Sequence, residues 1–305
     1  MKKYLPALAV ILAAFLWSLD GFLRQRLFSL SSFTLITLEH VLGAVIFFPL
    51  LIKGWKEIQT INQRHWVSVL WISICGGILG TFFYTKALSY VNYIDLSVVV
   101  LLQKFQPLFA IALAAVILKE PITKRFFILA LSAILGGYLI TFGTQSIPNW
   151  DDHTLIAALL AILAAFSWGS STVLGKHALR RLSFPTITAL RLVITATITT
   201  FILFSTGRAE TVILITQVQW GYLLLIVFST GSVALFFYYY GLKHLPASHT
   251  TIYELFWPLS AVALDWFVRS RTLQPVQWLG MVLLLGSIIL LTQENSGTRG
   301  KIKSQ

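Results

Sequence analysis

The chain has 305 residues, 57% of them hydrophobic and 11% charged, with a mean hydropathy of +0.80, a balance that excludes an ordinary soluble domain. Its net charge of +12 does not make it a nucleic-acid binder, because the Lys and Arg residues punctuate apolar runs instead of gathering on one face or tail. The lone cysteine, Cys75, excludes an internal disulfide and a Cys-based metal cluster.

A bilayer core about 30 Å thick takes about 20 largely apolar residues per helical span. In chain order such runs are predicted over residues 5–22, 33–52, 66–85, 94–118, 126–142, 155–174, 184–204, 220–242, 248–267 and 275–291. The first follows Met1-Lys2-Lys3 and looks like a signal peptide, but it has a counterpart in the second half, so it is expected to stay as a span. Backbone in lipid has to satisfy its own hydrogen bonds, which makes runs of this length helices. Barrel strands would be about ten residues long and would alternate polar with apolar. The expected fold class is therefore an all-α integral membrane protein with ten transmembrane helices. Loop residues such as Lys53, Lys56, Arg64, Lys124 and Arg125 then gather on one side and Asp151-Asp152 on the other. The positive-inside rule puts both termini in the cytoplasm, with Arg24, Arg26, Arg269 and Arg271 as exceptions. The setting expected is a bacterial inner (plasma) membrane, crossed many times.

The chain also repeats itself. A shift of 151 positions (168 minus 17) lays Trp17 on Trp168, and Ile11-Leu12-Ala13-Ala14-Phe15 on Ile162-Leu163-Ala164-Ala165-Phe166. The same shift lays Ser32, Phe33 and Thr37 on Ser183, Phe184 and Thr188, and Phe105, Pro107 and Leu108 on Phe256, Pro258 and Leu259. Trp, Pro and Phe in phase over three spans point to duplication and not to chance among Leu-rich segments. The expected division is a first five-helix repeat at 1–148, a second at 149–295 and a basic cytoplasmic tail at 296–305. Five is odd, so the second copy is expected to run inverted, the common construction of secondary transporters.

Taken together, Leu12-Ala13-Ala14-Phe15-Leu16-Trp17-Ser18, its partner Ala164-Ala165-Phe166-Ser167-Trp168-Gly169, the segment Leu101-Leu102-Gln103-Lys104-Phe105-Gln106-Pro107, and Leu118-Lys119-Glu120-Pro121 resemble the EamA-like branch of the drug/metabolite transporter superfamily. The resemblance runs from Leu5 to Thr292. It implies a carrier of metabolites, often amino acids or related compounds moved outward, through a cavity between the halves. The chain departs from the pattern where Val268-Arg269-Ser270-Arg271 stands opposite Lys119-Glu120-Pro121, and where His40 fills the place of Arg191.

Ionisable groups deep in hydrocarbon are the sharpest functional signal, since each costs about 2.5–3.5 kcal/mol to insert near a helix centre. Glu39 and His40 lie in the second run, Lys104 in the fourth, Arg191 in the seventh and Glu254 in the ninth. Lys104, near the midplane and flanked by Gln103, Gln106 and Pro107, is expected to be the central charge of a substrate site, with Glu39 as its resting partner. Arg191 and Glu254, at similar depth, are expected to pair, either as ordinary interhelical glue or as a gating or proton-coupling element. His40 opposite Gln103 would mirror them in the first half. Glu254, Glu39 and His40 are the candidate proton carriers.

Trp17, Tyr84, Trp168, Tyr238 and Trp257 are candidates for an aromatic cavity wall, against the plainer role of interface anchors. Trp17 matches Trp168 by the repeat, and Tyr84 matches Tyr238 at a local shift of 154 (238 minus 84). The substrate-binding set expected is thus Trp17, Glu39, His40, Tyr84, Gln103, Lys104, Gln106, Trp168, Tyr238 and Trp257. No cofactor or metal is expected, since no metal spacing, nucleotide loop or nucleophile with a base is visible. The reading is a secondary transporter whose partners are a small-molecule substrate, the lipid bilayer and a coupling proton. The alternatives are an intramembrane enzyme and a non-transporting scaffold.

Overall fold

The computed structural model describes residues 4–27, 29–88, 102–103, 105–144, 152–207, 215–269 and 274–302. Among them every regular element is helical. The first half contributes α1 (Leu5–Arg24), α2 (Ser32–Lys53), α3 (Trp55–Thr60), α4 (Gln63–Trp71), α5 (Gly80–Leu88), α6 (Gln106–Leu113) and α7 (Lys124–Phe142). The second contributes α8 (Asp152–Ala178), α9 (Phe184–Ser205), α10 (Gln217–Phe228), α11 (Ser232–His244), α12 (Ala247–Tyr253), α13 (Phe256–Arg269) and α14 (Pro275–Ile302).

Small polar residues start these helices by satisfying the exposed first-turn N–H groups. Ser31 caps α2, Asn62 caps α4 and Thr123 caps α7, while Thr216 and Gln219 form a reciprocal capping box on α10. Several runs are interrupted inside the apolar zone. A π-helical stretch, Ile72–Leu79, joins α4 to α5, and another, Ala114–Leu118, follows α6. Lys119 ends the second stretch in the left-handed region (φ 56°), which turns the chain sharply. Between α12 and α13 the helix breaks at Glu254, because Pro258 has no N–H to offer the carbonyl four residues earlier. Pro107 stands in the same relation to Gln103 in the first half.

Six helical runs are long and apolar enough to cross a membrane: Phe33–Lys53, Gln63–Ala87, Lys124–Thr141, Leu155–Ala178, Phe184–Ser205 and Gln217–His244. Leu5–Asp20, Gln106–Leu118 and Pro275–Leu291 are apolar but shorter.

The two halves interleave. Helix α1 packs on α11, α12 and α13 of the second half, and its repeat partner α8 packs on α4, α5 and α6 of the first. Helix α2 packs on its own partner α9, and α7 on α14. Contacts give the directions. Trp17 meets Tyr238 while Asp20 meets Thr230, so α1 and α11 are antiparallel. Ser68 meets His177 while Trp71 meets Ser170, so α4 and α8 are antiparallel too. In the α7–α14 pair, Gly136 and Gly280 lie against each other's backbone, where an added Cβ would come within 2.7 Å of a carbonyl oxygen. Only glycine permits so close an approach. The resulting core spans both halves, and Tyr239 and Tyr253 are its bulkiest fully buried side chains.

At one end of the molecule the halves are tied by carboxylates that cap helices. Glu57 accepts from the N–H of Ser183, just before α9, at 2.6 Å. Glu120 accepts from the N–H groups of Ala247 (2.7 Å) and Ser248 (3.0 Å), and from the Ser248 hydroxyl (2.6 Å), at the start of α12. Lys243 donates to the carbonyls of Leu179 and Leu182, and Arg180 to that of Leu118, which brings the connections before α7, α9 and α12 together. Anionic caps on helix N-termini are charge-assisted and complement the helix dipole.

Candidate functional site

The repeat-matched aromatics meet across the halves. Trp17 of α1 lies against Tyr238 of α11, with ring centroids 5.4 Å apart and planes tilted by 52°. Trp168 of α8 lies against Tyr84 of α5 at 5.6 Å and 55°. Each tryptophan therefore takes the tyrosine of the opposite half. Gly80 makes the second contact possible, since a Cβ there would fall 2.4 Å from the indole Nε1 of Trp168.

A polar chain runs between these two pairs at the broken helices. Gln103 Nε2 donates to Gln106 Oε1 at 3.3 Å, and Gln106 Nε2 donates to Glu254 Oε2 at 2.6 Å. The Tyr238 hydroxyl donates to Glu254 Oε1 at 2.8 Å and lies 2.6 Å from the Thr172 hydroxyl. Gln103 and Gln106 belong to the first half and Glu254, Tyr238 and Thr172 to the second, so the chain crosses the seam. Gln103 Oε1 is buried with no hydrogen-bond partner among the described residues. Gln103, Gln106, Trp17, Tyr84, Trp168 and Glu254 are all half-buried, whereas Tyr238 and Thr172 are buried. Trp257 lies on α13, and its N–H donates to the Glu254 carbonyl across the helix break.

The expected pairing of Arg191 with Glu254 is rearranged. Arg191 and Glu254 do not pair: Glu254 is held by Gln106 and Tyr238, and Arg191 Nη1 donates to the Tyr239 hydroxyl at 2.9 Å. Glu39 Oε2 accepts from Arg24 Nη2 at 2.9 Å, and its other oxygen, Oε1, is buried with no hydrogen-bond partner among the described residues. Lys104 itself lies outside the described residues. His40 does not bond to Gln103; its Nδ1 is 2.8 Å from the Ile36 carbonyl.

Sequence reasoning missed Asp20, Arg24 and Thr230. Arg24 also pairs with Asp20, four residues earlier on α1, and the Thr230 hydroxyl donates to Asp20 at 2.7 Å from between α10 and α11. The i,i+4 spacing of Asp20 and Arg24 was the available signal. A groove between α2 and α9, lined by Val41, Phe48, Thr197 and Phe201 among others, contains none of these site residues and faces the apolar exterior.

The EamA-like transporter family matches this chain twice, over residues 5–142 and 155–293. The riboflavin transporter ImpX of Fusobacterium nucleatum subsp. nucleatum is 38% identical over 293 residues, which cover 95% of this chain and 98% of that protein. A riboflavin transporter of Brucella anthropi is 22% identical over 262 residues, 85% of this chain and 87% of the other. A crystal structure at 15% identity shares the fold, with a TM-score of 0.74 over 95% of this chain and 96% of that one.

Proposed function

We propose that this chain, which belongs to the EamA-like transporter family, carries riboflavin or a close flavin across a bacterial inner membrane. The observation that carries the reading is identity of 38% along nearly the whole chain with a protein named as a riboflavin transporter. The site's chemistry supports it. A flavin is a flat, fused-ring system with one apolar end, one imide-like edge and a polyol tail. The Trp17–Tyr238 and Tyr84–Trp168 pairs offer faces for the ring. Gln103, Gln106, Glu254 and Thr172 offer donors and acceptors for the edge and the hydroxyls. Amino acids, which the family resemblance suggests in general, give way here to a flavin.

The carrier runs in this reading as two inverted five-helix repeats, 1–148 and 149–295, with ten spans, a basic tail at 296–305 and both termini cytoplasmic. The antiparallel α1–α11 and α4–α8 pairs and the exchange of partners between α1 and α8 support the inversion, and the excess of basic loop residues on one side supports the orientation. Transport proceeds by rocking of the halves about the site. Glu254, the carboxylate of the central network, is assigned the coupling proton.

The test is transport of labelled riboflavin by a riboflavin auxotroph, with uptake measured in cells and efflux in preloaded vesicles. Saturable riboflavin flux above a vector control is expected, and an uncoupler should abolish accumulation. Well-expressed protein that carries no riboflavin in either direction overturns the reading.

A further inference from the structure

Arg191 is a cation with no acid partner among the described residues. It sits seven residues into α9 (191 minus 184), half-buried. Among the described residues the ion pairs are those of Arg24 with Asp20 and with Glu39, and no carboxylate lies within 4.0 Å of Arg191. Its hydrogen bond goes to the hydroxyl of Tyr239, and its Nε is buried with no hydrogen-bond partner among the described residues. A guanidinium has five N–H donors in a fixed fork, so most of its bonding capacity is uncommitted. Charges inside membrane helices are normally paired or face a functional cavity.

The surroundings make room for it. A Cβ at Gly76 would fall 2.9 Å from Arg191 Nη2 and 2.8 Å from the Ser171 hydroxyl, so a larger residue at 76 would press on the guanidinium. Ser171 is three residues beyond Trp168 on α8, and Gly80, one helical turn from Gly76, lies against that same indole. Arg191 thus stands about one turn from the Tyr84–Trp168 pair and borders the transport site.

Resting on the flavin reading, we propose that Arg191 is the recognition group for the electron-rich edge of the substrate. It donates to N1 and the C2 carbonyl of the flavin's pyrimidine ring, while Tyr239 steadies the guanidinium. The planar fork matches two adjacent acceptors on a planar ring, which an ammonium group cannot do. Arg191 is then neither a helix lock nor the partner of Glu254.

The test is titration calorimetry on the full chain purified in detergent, with riboflavin and with 1-deazariboflavin, in which a C–H replaces N1. The wild type is expected to prefer riboflavin by about tenfold or more, because an analogue lacking the acceptor leaves buried donors unmatched. In Arg191→Met the preference falls to near parity and riboflavin binds more weakly; Arg191→Lys gives a partial preference. The assignment is overturned if Arg191→Met keeps the full preference. A wild type that binds no riboflavin overturns the flavin reading and this assignment with it, and the two failures are told apart by which protein fails. Thermal stability supplies the second check. Arg191→Met/Tyr239→Phe removes both partners of the one hydrogen bond and leaves no orphaned acid, so its midpoint should stay near that of the wild type. A fall of many degrees would make Arg191 a structural lock and overturn the proposal.

Discussion

Glu254 is the hub of the seam, and its coupling to Gln106 can be worked out from the contacts. It accepts one bond at 2.6 Å from Gln106 and one at 2.8 Å from Tyr238. Glu254→Ala leaves two donors without an acceptor, each worth about 1–3 kcal/mol if fully buried. Gln106 and Glu254 keep partial exposure, which lowers the expected total to about 3 kcal/mol. Gln106→Ala removes one charge-assisted bond, about 2 kcal/mol on the same scale. The double variant cannot lose the shared bond twice, so it should be milder than the sum by about 1.5 kcal/mol. At about 2 °C per kcal/mol for a chain of this size, the coupling is about 3 °C. Arg191→Met combined with Glu254→Ala, by contrast, should be additive to within about 0.5 kcal/mol, since the two side chains do not touch. Thermal midpoints from fluorescence-detected size-exclusion in detergent report both cycles. Additivity for Gln106 with Glu254, or strong coupling for Arg191 with Glu254, would refute the network as described.

Arg24 stands between Asp20 and Glu39, with side-chain exposures of 27%, 25% and 9%. Arg24→Met should cost about 2–3 kcal/mol, less than the cost for a fully buried pair because of that exposure, and Arg24→Met/Glu39→Gln should recover part of it in the same assay; a neutral Arg24→Met would count against the cluster. For topology, single cysteines at Asp152 and Ser304 in a Cys75→Ser background should differ in reaction with an impermeant maleimide on intact cells. Labelling at 152 alone is expected, and labelling at 304 would place the C-terminus outside.

Much of the seam is legible in the sequence, because duplication fixes which residues are equivalent even where it cannot say what they touch. Trp17 with Trp168 and Tyr84 with Tyr238 are recovered as equivalents, and the fold crosses them over. Helix rise gives depth but not azimuth, which is why Arg191 and Glu254 looked like partners. Neighbours on a helix point about 100° apart, so Tyr239 takes Arg191 while Tyr238, one residue earlier, takes Glu254. Arg24 was assigned to a loop because hydropathy fades after Phe22, yet α1 continues to Arg24 and brings it over Glu39. The break at Glu254 was open to inference from the missing N–H of Pro258. The π-helical stretch Ile72–Leu79 carries no comparable signal beyond Gly76 and Gly77.

The carboxylate caps at Glu57 and Glu120 break the molecule's near two-fold design. The shift of 151 sets Arg208 and Arg271 at the corresponding places in the second half (57 plus 151, 120 plus 151), and arginine offers only donors to a helix N-terminus. In the rocking reading proposed above, an empty carrier with such unequal ends would rest preferentially with the capped end shut. Solute arriving at the opposite face meets a ready site, whereas solute at the capped face binds only in the fraction of molecules whose caps have let go, so the half-saturation concentrations on the two faces differ by that fraction. Without a coupled ion this difference confers no direction on net flow. Detailed balance requires equal Vmax/KM from both sides, so the caps set the concentration range over which each face operates, and only an ion gradient can make the carrier accumulate.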